Sequence, residues 1–383
     1  MRKVILISLA ILSISCIVAG TIYVFPALPP PDGIWEPNWS PQGNLIAFRC
    51  VFVPFDGLSS MTIFDDATNF YFWIWSDICI ADQNGKQFQR LTTGGNFSAP
   101  SWSPDGKLLA WAHEGNTAWE SISTWSSQEQ TTETFFLTEK IDWLDDLTWS
   151  KDGRQLYLDA TGAIFDIASE KLSLLPEQKV EGEELFGFVR SFDGEYLALD
   201  RYLDFLYGHP DLIITKGNQP VFVGSEFSRG NSYAWSPREN ILAWTGDVIP
   251  KSEQNPEKDY DTVLFLTHAP TGQTIKYETD YSSLDCCIDV AWSPDGMSLA
   301  LLAPYYLEIL EFLKTDSGFP LSIANHSRLN LNDFYDGLSW SPDRKHLLVE
   351  SNYDNYQIWI LNIQDNKEQL YSIDFPWISL SDQ

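Results

Sequence analysis

Carboxylates recur in the sequence three residues before a repeated aromatic position. That position holds Trp39, Trp102, Trp149, Arg190, Trp235, Trp292 and Trp340. The alignment assigns Glu36, Asp146, Asp289 and Asp336 to the carboxylate position. Converging carboxylates raise one another's pKa values or take up a cation that prefers oxygen ligands. The sequence thus predicts a binding site at these four acids, and a Ca²⁺ site at Asp146, Asp289 and Asp336. The alternative is that each acid accepts hydrogen bonds from its own turn.

Cysteines offer a second kind of chemistry. Cys50 and Cys79 fall in two predicted neighbouring strands, where a disulfide can join them in an oxidising compartment. Cys286 and Cys287 are adjacent in the sequence. A bridge between adjacent residues is strained, so two thiols fit this pair at least as well, and its redox state stays open.

Catalytic motifs are absent from the sequence. It contains no Gly-x-Ser-x-Gly, no His-Glu-x-x-His, no phosphate-binding loop and no Cys-x-x-Cys. We expect His113, His209 and His326 on or near one face, as a metal-dependent lyase would need. Without a spacing motif they do not favour an enzyme, and no catalytic residue is predicted.

A repeated sequence motif predicts the strands and turns that position these residues. One copy, PSWSPDGKLLAW, runs from Pro100 to Trp111, and seven copies follow one another at intervals of 41 to 63 residues. Each copy predicts a strand, a tight Pro-Asp-Gly turn and a returning strand, and most copies continue into a second strand pair. A strand-rich repeat of this length is typical of a propeller blade. The prediction is an all-β, seven-bladed β-propeller of four-stranded antiparallel blades.

The phrase WSPDGxxLAF, followed by IxxxDxxGxxxxxLT, resembles the TolB-type, WD-related propeller repeat. The resemblance covers almost everything after the N-terminus. It implies the propeller half of that envelope family, without the α/β domain that would precede it. For function the resemblance is weak, because the repeat also resembles parts of peptidases and lyases.

The N-terminus differs from the repeats. A run of 22 uncharged residues extends from Val4 to Phe25, which as a helix spans about 33 Å, enough to cross a bilayer. We predict a cytoplasmic tip (1–3), a transmembrane signal-anchor (4–25), a Pro-rich linker (26–36), the propeller (37–375) and a tail (376–383). A cleaved signal peptide and a lipidated Cys16 are the alternatives. All three place the propeller on the periplasmic or extracellular side of the cell membrane.

The net charge of the chain limits the kinds of partner that it can bind. The chain carries 53 acidic and 24 basic residues, a net charge of −29. This charge repels phosphate backbones, so nucleic acid is excluded and partners of basic character are favoured. High solubility explains the charge equally well. Long insertions at 49–71, 201–210 and 245–261 are expected on one face, where binding sites of rigid rings usually lie.

Two functions are consistent with these features. The favoured one is a membrane-tethered, extracytoplasmic propeller that acts as a non-catalytic scaffold and binds an envelope protein or glycan. The alternative is a propeller enzyme, such as a metal-dependent polysaccharide lyase or hydrolase that uses the acidic channel mouth. The identity of the partner, the organism, the pathway and the oligomeric state do not follow from the sequence.

Overall fold

The structure is a computed structural model of the 383-residue chain. It describes residues 16–18, 21–23, 33–51, 76–115, 118–141, 144, 146–159, 161–174, 184–202, 211–217, 219–224, 227–248, 261–277, 289–303, 306–313, 319, 322–331, 335–351, 357–364 and 367–370.

Two short strands come first, β1 (Cys16–Val18) and β2 (Thr21–Tyr23), paired antiparallel. They lie inside the run predicted as a membrane-spanning helix, whose other residues are outside the described ones. Along the part of the chain that is described, no helix is long and apolar enough to span a membrane. The signal-anchor therefore stays a prediction.

Seven antiparallel sheets follow, one for each copy of the repeat. Blade 1 contains β3 (Gly33–Trp39), β4 (Leu45–Val51), β5 (Ser76–Asp82) and β6 (Gln89–Arg90). Blade 2 contains β7 (Asn96–Phe97) and β8 (Ser101–Trp102), which share the first strand position, then β9 (Leu108–Glu114), β10 (Trp119–Ser126) and β11 (Thr131–Ile141). Blade 3 contains β12 (Leu147–Trp149), β13 (Gln155–Leu158), β14 (Ala163–Asp166) and β15 (Lys171–Ser173).

Blade 4 contains β16 (Glu184–Arg190), β17 (Tyr196–Tyr202), β18 (Asp211–Lys216) and β19 (Gln219–Gly224). Blade 5 contains β20 (Phe227–Trp235), β21 (Ile241–Val248), β22 (Asp261–His268) and β23 (Gln273–Tyr277). Blade 6 contains β24 (Asp289–Trp292), β25 (Ser298–Ala303), β26 (Tyr306–Leu313) and β27 (Ser322–Asn330). Blade 7 contains β28 (Tyr335–Trp340), β29 (His346–Ser351), β30 (Gln357–Asn362) and β31 (Lys367–Leu370). The predicted seven-bladed, four-stranded propeller is confirmed.

The turn between the first two strands explains why the phrase repeats. In blade 6, the hydroxyl of Ser293, which is fully buried, donates to Asp295 Oδ1 (2.7 Å) and accepts the N–H of Ser298 (2.9 Å). Asp295 also accepts the N–H of Met297, and Gly296 adopts φ +64°. Serine, aspartate and glycine thus each help to reverse the chain in this blade. We call the side of the ring that carries these turns the turn face.

The repeated tryptophan joins each blade to the one before it. Trp292 Nε1 donates to the carbonyl of Ala234 in blade 5 (3.0 Å), and Trp340 Nε1 donates to that of Ala291 in blade 6 (3.0 Å). The same bond is made by Trp102, Trp149 and Trp235. Arg190, which interrupts the column, is buried and donates from Nη2 to the carbonyl of Gly162 in blade 3 (2.9 Å). The repeated tryptophan pattern in the sequence does not indicate this hydrogen bond.

The ring closes where blade 1 packs against blade 7. Strand β3 contacts β28, β29 and β30, and Leu348 and Ile358 of blade 7 share one buried cluster with Trp39 and Phe48 of blade 1. Trp39 Nε1 has no hydrogen-bond partner among the described residues. Its backbone N–H instead donates to Ser339 Oγ (3.2 Å). This seam therefore lacks the indole bond that five of the other interfaces have.

Candidate functional site

A central cavity of about 850 Å³ runs between the inner strands. Every blade contributes to its lining, which includes carboxylates, amides and aromatic rings, among them Glu36, Asn38, Asp146, Tyr233 and Trp292. Each first strand runs toward the turn face, so its beginning lies at the opposite side of the ring. We call that opposite end of the cavity the channel mouth.

Two of the predicted acids lie in this cavity. Glu36 and Asp146 both line it, and both side chains are exposed. Asp289, the third, is half-buried, and its Oδ2 accepts the backbone N–H of Gly337 in blade 7 (3.0 Å). Asp289 thus accepts a hydrogen bond from a backbone amide. The alternative to a cation site predicted such a bond within the acid's own turn, whereas this amide belongs to the neighbouring blade.

The alignment of Asp336 with the other acids is wrong. Asp336 stands four residues before Trp340, and Gly337 occupies the position three residues before it. A register shift between Asp336 and Ser339 marks a bulge, and Gly337 adopts φ +63° there. A bulge commonly places glycine in this left-handed conformation. The backbone of Asp336 pairs with Glu350, and its side chain lies outside the described residues.

Glu36 occupies the equivalent bulge of blade 1. It adopts φ +53°, and the register shifts between Trp35 and Asn38. A non-glycine residue in this conformation is strained and is held there by its neighbours. The N–H of Glu36 donates to Glu350 Oε2 of blade 7 (2.8 Å), and its carboxylate lies 3.3 Å from Arg49 Nη1. Glu36 therefore both closes the ring and presents a charge at the mouth.

The channel mouth also carries a second set of polar side chains, which the sequence analysis did not predict. Ten residues after the repeated aromatic position, in the second strand or directly after it, five blades carry a charged or polar residue: Arg49, Asp159, Asp200, Thr245 and Glu350. The repeated phrase ends one residue earlier, on an apolar residue of that strand. Extending the alignment by one residue would have revealed these positions.

Two members of this set are carboxylates held by hydroxyl groups of inner strands. Asp159 is buried, lines the cavity and accepts the hydroxyl of Thr148 (2.6 Å). Asp200 accepts the hydroxyl of Tyr233, whose ring lines the cavity from blade 5. Burial raises the pKa of Asp200 to about 6, although the hydrogen bond from Tyr233 opposes this shift. Asp200 therefore changes charge within a physiological range of pH.

A disulfide joins Cys50 and Cys79 in blade 1. Cys50 pairs in the ladder with Asp77, and Cys79 pairs with Phe48, so the bridge is diagonal across β4 and β5. Nearby, buried Asp77 forms an ion pair with Arg90 and accepts the N–H of Gly94 (2.7 Å). Burial raises the pKa of Asp77, and the charge of Arg90 opposes the rise. The mouth end of blade 1 is thus fixed by a covalent bond and an ion pair.

The histidines considered for a lyase do not come together where they are described. His113 lies in β9, the second strand of blade 2, with its ring 5.0 Å from that of Phe97. His326 lies in β27, the outermost strand of blade 6, with Nε2 3.5 Å from Glu308 Oε2. His209 is outside the described residues. Within the described part of the chain, no group of three histidine, cysteine or acidic residues is arranged to hold a metal ion.

Comparisons with known proteins identify the fold. No family model matches the sequence, and no curated protein matches it. A chain of the mitotic checkpoint complex matches the structure with a TM-score of 0.54 and 16% identity, over 94% of this chain and 98% of that chain. The tricorn protease matches with a TM-score of 0.56 and 11% identity, over 91% of this chain and 35% of the protease chain. This chain therefore spans about a third of the protease.

At these identities the likeness shows the β-propeller fold alone. One match belongs to an assembly and the other to an enzyme, so the fold does not decide between binding and catalysis. The functional argument must come from the residues of the cavity. Carboxylates, hydroxyl groups and rings at one end of a rigid channel can bind a cationic group, because carboxylates pair with ammonium or guanidinium ions and aromatic faces attract them.

Proposed function

We propose that this chain is a membrane-tethered, extracytoplasmic β-propeller whose channel mouth binds a basic segment of an envelope protein. The observation that carries the proposal is the cavity of about 850 Å³, whose mouth presents the exposed carboxylates of Glu36 and Asp146 and the buried carboxylate of Asp159. An extended peptide with lysine or arginine side chains complements such a mouth in charge and in shape.

The net charge of −29 supports a basic partner, because it raises the rate at which positively charged surfaces meet the ring. The Cys50–Cys79 disulfide supports an extracytoplasmic location, because disulfides persist in oxidising compartments and are rare in the cytosol. The tether itself rests on the uncharged run from Val4 to Phe25.

A propeller enzyme is the weaker candidate. His113 and His326 belong to different blades and to strands at different distances from the axis. A lyase of the kind considered would need several ligands around one metal ion. The likeness to the tricorn protease extends over a third of that protein and concerns the fold. Binding therefore accounts for the cavity better than catalysis does.

Affinity capture from solubilised membranes tests the proposed function. The bait is the full chain, compared with a mouth variant, Glu36→Gln with Asp146→Asn, and a matched control, Glu129→Gln with Glu239→Gln. Both variants lose two exposed negative charges, and the control residues lie in turns on the turn face. We expect a basic membrane protein to be recovered with the wild type and the control, in a manner that 0.5 M salt abolishes. Equal recovery with the mouth variant would show that the mouth is not the binding site.

A further inference from the structure

The chain enters the ring at the channel mouth and close to its axis. Strand β3 is the inner strand of blade 1, and Gly33, its first residue, pairs with Val51 at the mouth end of β4. Trp39, its last residue, pairs with Ile46 beside the turn. Gly33 therefore lies on the mouth side of the ring.

The connection to the uncharged run is short. Seven residues, 26–32, separate Phe25 from Gly33. Fully extended, seven residues reach at most about 25 Å. The strand β3 itself, with seven residues, is about 23 Å long, which sets the distance between the two faces.

These lengths decide which face can lie against the membrane. Three strand spacings separate the inner strand from the rim of a blade, about 15 Å. To place the turn face against the bilayer, the linker would have to cross to the rim and then pass the thickness of the ring, about 38 Å in total. Seven residues cannot cover this distance.

We propose that the tether holds the channel mouth toward the membrane and the turn face toward the surrounding compartment. This inference rests on the tether of the proposed function and adds an orientation to it. The mouth then lies within about 25 Å of the bilayer surface. At this distance the mouth can reach a partner that is itself embedded in the membrane. The basic segment that it binds is an extracytoplasmic segment close to a membrane span.

Energy transfer to the membrane tests this orientation with the full chain in lipid vesicles. A donor dye is attached through an azide-bearing amino acid placed either at Asp146 in the mouth or at Glu129 on the turn face. The vesicles contain a small fraction of lipid with an acceptor dye. Flotation of the vesicles first separates bound protein from free protein.

We expect the protein to float with the vesicles and the Asp146 position to transfer more energy to the lipid than the Glu129 position. Protein that floats but transfers equally from both positions, or more from Glu129, would overturn the orientation and leave the tether intact. Protein that does not float would overturn the tether and the orientation together. The two failures are therefore distinguishable.

Discussion

The turn face and the channel mouth use carboxylates in opposite ways. On the turn face, five aspartates accept a serine hydroxyl and a backbone N–H, and all five have lowered pKa values: Asp105, Asp152, Asp193, Asp295 and Asp343. In Asp152 the largest cause is the hydrogen bond from Ser150, and in Asp295 the burial that raises the pKa is outweighed by hydrogen bonds and Arg344. At the mouth, burial raises the pKa of Asp200. The acids repeated at the turns serve the fold, and it is among the acids that vary between blades that we propose a binding role.

The largest effect on stability is expected from removing a buried ring near the turn face. Trp292→Ala should lower the free energy of unfolding by about 3 to 5 kcal/mol, because a buried ring and its bond to Ala234 are lost. Asp146→Asn at the mouth should change it by less than about 0.5 kcal/mol. Chemical denaturation of both variants measures the difference.

The seam supplies a control for the hydrogen bond. Trp292→Phe should lower the free energy of unfolding by about 1 kcal/mol more than Trp39→Phe does. Of these two tryptophans, Trp292 donates its indole N–H to a carbonyl, and Trp39 has no such acceptor among the described residues. Equal costs for the two phenylalanine variants would show that the indole contributes by packing alone.

The second experiment removes the covalent bond near the mouth. Replacing both cysteines, Cys50→Ala and Cys79→Ala, should lower the free energy of unfolding by about 3 kcal/mol, since the bridge closes a segment with a sequence separation of 29 residues. Adding dithiothreitol should lower the melting temperature of the wild type and leave that of the double variant unchanged. A wild type insensitive to the reductant would argue against a role of the bridge in stability.

The third experiment uses pH to separate the faces. Asp200 binds a proton more tightly in the folded protein than in the unfolded one. Its contribution to the free energy of unfolding therefore falls by about 1 to 3 kcal/mol as pH rises from about 4 to above 6. The turn aspartates, whose pKa values are lowered, stabilise the protein above about pH 4 and lose this contribution as pH falls further. Asp200→Asn should therefore reduce the decline between pH 4 and 7, leave the part that comes from Asp77, whose pKa is also raised by burial, and keep the loss at lower pH.

Tyr233→Phe provides the matched variant for this experiment. It removes the hydrogen bond that lowers the pKa of Asp200, so the decline should move to higher pH. Glu129→Gln on the turn face should leave the whole profile unchanged. A profile that does not respond to Asp200→Asn would assign the decline to other groups.

The smallest expected effect is that of Ca²⁺ at the mouth, which stays a prediction for Asp146, Asp289 and Asp336. Because Asp289 already accepts the N–H of Gly337, we expect weak binding and a rise in melting temperature of about 1 to 2 °C at millimolar Ca²⁺. Asp146→Asn should remove the rise. Calorimetry on both proteins checks this, and an unchanged melting curve for the wild type would contradict it.

The sequence predicted the propeller because its turn repeats. The serine of each turn bonds locally to the turn backbone, so all seven copies carry it, and five of the seven carry the aspartate and five the glycine. The mouth has no such local rule. Gly337 and Glu36 occupy equivalent bulges although their side chains differ, so the residue type at this position does not reveal the shared backbone conformation.

Contacts between blades were also hidden from the sequence. Asp200 and Tyr233 are 33 residues apart and belong to blades 4 and 5, and nothing local in either segment indicates their hydrogen bond. The indole bonds join residues 46 to 64 positions apart, and the tryptophan pattern does not show which carbonyl each indole meets. Such contacts follow from the closure of the ring, which the repeat implies but does not specify residue by residue.

The central claim is that the channel mouth binds basic segments. Its most direct test is the binding of a fluorescent octalysine peptide to the detergent-solubilised full chain, followed by anisotropy. We predict salt-sensitive binding that Glu36→Gln with Asp146→Asn weakens about tenfold and that Glu129→Gln with Glu239→Gln changes by less than about twofold. Equal weakening by both pairs of substitutions would reduce the effect to net charge and contradict the claim, as would binding that neither pair alters.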